Sequence, residues 1–199
     1  MGMMRAGAHL RTAGVWLKAS RFWSDRRGIA AVEFALIMPI LLIMYLVTME
    51  ASQGIETSKK VSRIGSMVAD LATQQTSVVK ADVDAIMKIG PVTLQPYSRS
   101  TPSITITAIQ VSADATKALV VWSRKLVAGA TSTGLAATTE TTVPTTLKVA
   151  GTFLIRVDST LVYEPAIKLA MTSAFNQITM GETYYLRPRR SVTIPCGDC

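Results

Sequence analysis

From Phe34 to Met49 the chain reads FALIMPILLIMYLVTM, sixteen residues without a charge. Ile29 to Val32 (IAAV) extends this run backward, interrupted once by Glu33, so the apolar span Ile29–Met49 covers 21 residues. About 20 residues at 1.5 Å each cross the roughly 30 Å hydrocarbon layer of a bilayer. A core helix of that length in a soluble domain normally shows a polar face, and this stretch shows none. The span predicts a membrane anchor, and residues 50–199 are left to form a separate body.

Charge is distributed around that span. The net charge is +8 and the sequence pI about 9.8. Residues 1–27 hold six of the basic side chains (Arg5, Arg11, Lys18, Arg21, Arg26, Arg27) against one acid, Asp25. The flank after the span (Glu50, Glu56, Lys59, Lys60, Arg63, Asp70) is balanced. Lys and Arg stay on the cytoplasmic side of a membrane, so the N-terminus is expected inside and residues 50–199 across the bilayer. Basic charge packed against an apolar span reads as a topology signal, and no nucleic-acid partner is expected from it. With 17% charged and 49% hydrophobic residues the chain is not a disordered polyelectrolyte.

One charge lies within the span. Glu33 sits five residues after Gly28, in RRGIAAVEF (26–34), about 6 Å inside the start of the span by helical rise. A carboxylate in a membrane helix is costly and marks function by default. If the chain is cut after Gly28, Ile29 gains an α-ammonium four residues before Glu33, on the same helical face. A charge pair absent from the precursor then becomes available, within one chain or between neighbours. Pairing in lipid is far cheaper than a lone charge.

Arg26-Arg27-Gly28-Ile29-Ala30-Ala31-Val32-Glu33-Phe34-Ala35-Leu36, followed by an apolar run containing Pro39, resembles the TadE/TadG family of tight-adherence (Flp-type) pilus assembly proteins. It also resembles a class III prepilin signal. ITITAIQVSADATKALVVWSRK (104–125), GTFLIRVDSTLVYEPAI (151–167) and TYYLRPRRSVTIPC (183–196) look like the extracytoplasmic segments of that family. The resemblance implies cleavage by a prepilin peptidase between Gly28 and Ile29 and a minor pilin or pseudopilin role. It also implies assembly contacts through Glu33 and Phe34, and a helix kink at Pro39. Some family members remain uncleaved anchors, so an uncut anchor stays open. A conventional signal peptide, with Ser52-Gln53-Gly54 as a weak cleavage site, is a further alternative.

The remainder reads as α+β. Ile55, Val61, Ile64, Met67, Val68 and Leu71 form an amphipathic stripe, predicting one helix over about 29–73. A second short helix is expected over 80–88, ended by Gly90-Pro91. Two β-branched runs, 104–112 and 117–125, predict a hairpin, followed by a Thr-rich polar loop over 126–148. Further strands are expected over 152–163 and about 182–187, with a continuation of the latter past Pro188 to Ile194 left open. The expected fold is a long N-terminal transmembrane and amphipathic helix followed by a small antiparallel β-sheet domain, with the helix over one face. Its parts are a leader (1–28), a span (29–49), a helical stalk (50–90) and a β-rich extracytoplasmic domain (91–199).

Catalytic chemistry is hard to place. The only histidine, His9, lies in the leader. Asp82 and Asp84, spaced i,i+2, do not share a helical face. Arg187-Pro188-Arg189-Arg190 reads as a solvated basic run. Cys196 and Cys199 are expected to be oxidised across the membrane, with each other or with another chain, and without a nearby His they make a poor zinc site. The sequence thus predicts no catalytic residues, cofactor, metal or small-molecule substrate. It predicts a single-pass protein of the bacterial inner membrane, N-terminus cytoplasmic and C-terminal domain periplasmic. Its expected partners are the membrane, prepilin peptidase, other pilins or pseudopilins and the pilus assembly platform. The alternative function is an uncleaved periplasmic scaffold for a secretion or envelope complex.

Overall fold

The computed structural model describes residues 28–166 and 177–199. The basic leader, with the charges that carry the topology expectation, lies outside the described residues, as does His9. The chain divides into two compact units, Met1–Met49 and Glu50–Cys199.

Helix α1 is Ile29–Thr73, 45 residues, and passes through Pro39 without interruption. Pro39 removes one backbone hydrogen bond, which membrane helices tolerate. Among the described residues α1 is the one helix long and apolar enough to cross a membrane, and none of its apolar window is buried. A soluble core helix would have its apolar face covered.

In the second unit α1 buries Thr57, Val61, Ile64, Gly65, Val68, Ala69, Ala72 and Thr73 along one face. The face differs from the expected stripe at its start, because Ile55 is 59% exposed. Small residues take part of it instead: Gly65, Ala69 and Ala72 let the backbone come close to the sheet. A Cβ on Gly65 would stand 2.7 Å from Ser159 Oγ and 2.9 Å from the Tyr184 ring. Ser159 Oγ in turn donates to the Val61 carbonyl at 3.2 Å.

Two short helices follow, α2 (Lys80–Met87) and α3 (Ile89–Thr93). Gly90-Pro91 does not end the helical region as expected. Pro91 is the third residue of α3, and in a first turn the missing N–H has no helical partner to lose.

The sheet has five antiparallel strands: β1 (Ser103–Val111), β2 (Ala118–Val127), β3 (Ala130–Thr133), β4 (Phe153–Tyr163) and β5 (Ile178–Leu186), in spatial order β3-β2-β1-β4-β5. The β1–β2 hairpin forms where the β-branched runs predict it. Its turn is closed by Asp114, which accepts from Ser112 Oγ and the Thr116 amide.

The Thr-rich segment is more ordered than a solvated loop. Ala128 (φ 50°) and Gly129 (φ 80°) turn the chain back, and β3 pairs Thr131 with Leu126 and Thr133 with Arg124. Successive positive φ values match the twist of a two-residue hairpin turn. Beyond β3, the Val120 amide donates to the Thr139 carbonyl and the Thr141 amide to the Ala118 carbonyl, both at 2.9 Å. The edge of β2 has polar groups that need partners, and this segment supplies them.

Strand β5 starts earlier than expected, at Ile178, and stops at Leu186 without continuing past Pro188. The core lies between α1 and one sheet face, where Ile64, Val68, Ile104, Ile106, Ile155, Val157 and Leu161 are almost fully buried. A smaller cluster of Ile109, Val111, Ala118 and Leu154 sits under Val143 and Leu147 on the other side.

Candidate functional site

The junction residues come first. Helix α1 starts at Ile29, directly after Gly28. Gly28 is exposed, Ile29 is 51% exposed, and nothing lies within 4 Å of where a Gly28 Cβ would stand. The Gly28–Ile29 peptide bond is therefore open on the side of the described residues. Glu33 and Phe34 are exposed as well, Phe34 by 66%. Among the described residues nothing pairs with the Glu33 carboxylate. Helical geometry sets it about one turn from the Ile29 nitrogen.

A second polar group, missed by sequence reasoning, begins at the first residue after the apolar run. Glu50 accepts a 2.5 Å hydrogen bond from the Tyr163 hydroxyl, and the Ala166 amide donates to both carboxylate oxygens at 3.1 and 3.2 Å. Arg99 Nη1 lies 3.9 Å from Glu50 and donates to the Glu164 carbonyl at 2.8 Å. Its Nη2 donates to Gln53 Oε1 at 2.9 Å. The Tyr97 and Tyr163 rings stack with centroids 5.3 Å apart, and the guanidinium lies 5.2 and 6.0 Å from them. Burial, and then the hydrogen bond to Glu50, push the Tyr163 hydroxyl up to about 12. The cluster ties the end of β4 to the start of the second unit. Its members are up to 116 positions apart, and the one sequence clue was an acid placed immediately after an apolar span.

Asp82 and Asp84 do serve different partners. Asp82 accepts from the Val79 amide at the start of α2 at 3.2 Å. Asp84 accepts two bonds from Arg124 Nη2, at 2.6 and 2.8 Å, and one from Nε at 3.1 Å. Burial works to raise the Asp84 carboxyl, but the Arg124 and Thr131 hydrogen bonds and the Arg124 charge outweigh it and hold it below its usual value. The arrangement is a structural clamp between α2 and the sheet.

Residues 187–199 run back across the domain. The Arg189 amide donates to the Thr73 carbonyl at 3.0 Å, and Arg189 Nη2 pairs with Asp70 at 2.6 Å. Ile194 is fully buried, and its carbonyl accepts the Trp122 indole N–H at 2.8 Å. Val78 and Cys196 form a β-bridge. Cys196 and Cys199 are joined by a disulfide, and Asp198 between them accepts from the Lys80 amide at 2.7 Å, capping α2. Asp198 lies beside the two sulfurs, but sulfurs in a disulfide are poor metal ligands.

A family model described as TadE-like protein matches residues 28–61. No curated protein and no solved structure matches the chain. The match begins at Gly28, contains Glu33, Phe34 and Pro39, and ends within α1. The stretch from the Gly28 junction through the apolar run to Val61 is thus a TadE-like segment.

Proposed function

We propose that this protein is a minor pilin-like or pseudopilin-like component for assembly of a tight-adherence pilus, anchored in the bacterial inner membrane by residues 29–49. The observation that carries the reading is the TadE-like match starting at Gly28, ahead of an exposed apolar helix. In this reading prepilin peptidase cuts between Gly28 and Ile29, removing the basic leader that set the topology. The new Ile29 ammonium then meets Glu33 of its own chain or of a neighbouring pilin. The interchain pairing links processing to assembly, because an isolated carboxylate in lipid is penalised until a partner helix brings the amine. Phe34 and the apolar run supply the packing surface, and Glu50–Cys199 forms the periplasmic body. The role is structural rather than enzymatic.

N-terminal sequencing of the native membrane form tests this. The expected result is a chain starting at Ile29, and an uncut precursor in cells lacking prepilin peptidase. An N-terminus upstream of Gly28 in both strains would refute processing and favour an uncleaved periplasmic scaffold. Glu33→Ala is expected to insert and be cut normally, yet to co-purify poorly with other pilins.

A further inference from the structure

Four to eleven residues after the apolar run, one face of α1 borders a cleft of about 260 Å³. Gln53, Glu56 and Lys60 line one side, and Tyr97 and Arg99 line the other. The volume is below the 300–1,000 Å³ of typical drug-sized sites and suits a small polar headgroup. Two cations and one carboxylate face it. Arg99 is fixed by the Glu164 carbonyl, Gln53 and Glu50. Those bonds, with a hydrogen bond to the Tyr163 hydroxyl, engage three of the five guanidinium N–H donors, and a pre-positioned guanidinium is well matched to a phosphate. Lys60 Nζ donates to the Gln95 carbonyl at 2.8 Å and pairs with Glu56 at 3.1 Å. The Glu56 side chain is 65% exposed, and exposed i,i+4 pairs are weak.

Gln53 is four residues beyond Met49, so chain length alone keeps it within about 14 Å of the run in any conformation. A zwitterion could open the Lys60–Glu56 pair without leaving either charge uncompensated.

We propose that this cleft binds the headgroup of an aminoalkyl phospholipid of the phosphatidylethanolamine type, with the phosphodiester on Lys60 and Arg99 and the ammonium on Glu56. The proposal rests on reading residues 29–49 as a membrane span. Its consequence is that the second unit engages the bilayer surface by a specific lipid contact as well as by the anchor.

The test uses the full chain reconstituted in phosphatidylcholine vesicles containing equal fractions of phosphatidylethanolamine and phosphatidylglycerol. Flotation reads the anchor, and native mass spectrometry of the released protein reads the retained lipid. The expected result is a floating protein that keeps phosphatidylethanolamine in preference to the other two. Lys60→Gln should cut that retention at least tenfold, and Glu56→Gln should shift it toward phosphatidylglycerol. Lys59→Gln, a change to an exposed neighbour outside the cleft, should change nothing. A protein that floats but retains the same lipids in wild type, Lys60→Gln and Glu56→Gln overturns the site alone. A protein that does not float overturns the anchor and the site together. Free O-phosphoethanolamine, titrated onto detergent-solubilised protein, distinguishes the other source. Saturable micromolar binding lost in Lys60→Gln would overturn the lipid assignment in favour of a soluble amino-phosphate.

Discussion

Replacing Asp84 with alanine removes the partner of a nearly buried guanidinium. Arg124 and Asp84 side chains are 8% and 18% exposed, and their closest approach is 2.6 Å. Breaking such a pair from one side costs about 3–5 kcal/mol, because the remaining charge is left uncompensated in a low-dielectric site. The residual exposure of Asp84 admits some water, so about 3 kcal/mol is expected. For a body of this size 1 kcal/mol corresponds to about 2–4 °C in Tm, giving a drop of about 6–12 °C. Thermal unfolding of the full chain in micelles, followed by near-UV circular dichroism, measures it. The double variant Asp84→Leu/Arg124→Met should melt within a few degrees of wild type, since neither charge is then stranded. Acid adds a second check. Asp84 is held below its usual value, so its contribution is complete above about pH 4 and fades as pH falls through the lower folded value. Wild-type Tm should therefore fall more steeply below pH 4 than that of Asp84→Ala. A single variant melting within 2 °C of wild type would refute the reasoning.

Three further outcomes are expected. Gly65→Ala should lower Tm by several degrees, since its Cβ meets Ser159 Oγ at 2.7 Å and overpacking costs about 1–3 kcal/mol; Gly54→Ala, whose neighbours stand at 4.0 Å, should be neutral or stabilising in the same melts. With the Tyr163 hydroxyl raised to about 12, its contribution is intact below pH 10 and lost as pH rises toward 12; Tyr163→Phe should flatten that alkaline loss in a pH series of melts. Replacing Cys196 and Cys199 together by serine should cost about 2 kcal/mol from loop-closure entropy over four residues, read as a lower midpoint in chemical denaturation that reductant does not lower further.

Local pattern carried much of this architecture. The uncharged run Phe34–Met49 and the alternating segments around Asp114 are strong signals because each is satisfied by neighbours in sequence. Strand β3 was harder to read because its turn, Ala128-Gly129, lacks the Asn-Gly or Asp-Gly dipeptide that usually announces such a hairpin. Its Thr and Ser residues look like loop until the edge of β2 offers them a ladder. Reading large apolar residues alone put Ile55 on the packed face and passed over Gly65 and Ala69, which are there because they are small. The Glu50, Tyr97, Arg99 and Tyr163 cluster was out of reach for a different reason. Its contacts join segments brought together only by the sheet, and no spacing rule relates a charge to a tyrosine 113 positions away.

The return of residues 187–199 across the domain also sets an order of events. Ile194 fills a core position against residues made more than a hundred positions earlier, Trp122 bonds to its carbonyl, and Asp198 caps α2. A chain whose residues 187–199 have not yet folded back can build the β1–β2 hairpin, but it has a hole where Ile194 belongs. The domain therefore stays incomplete, and open to proteases, until Ile194 and Asp198 are in place. Closure of this body is thus set by the docking of residues 187–199 rather than by the helix and hairpin that precede them.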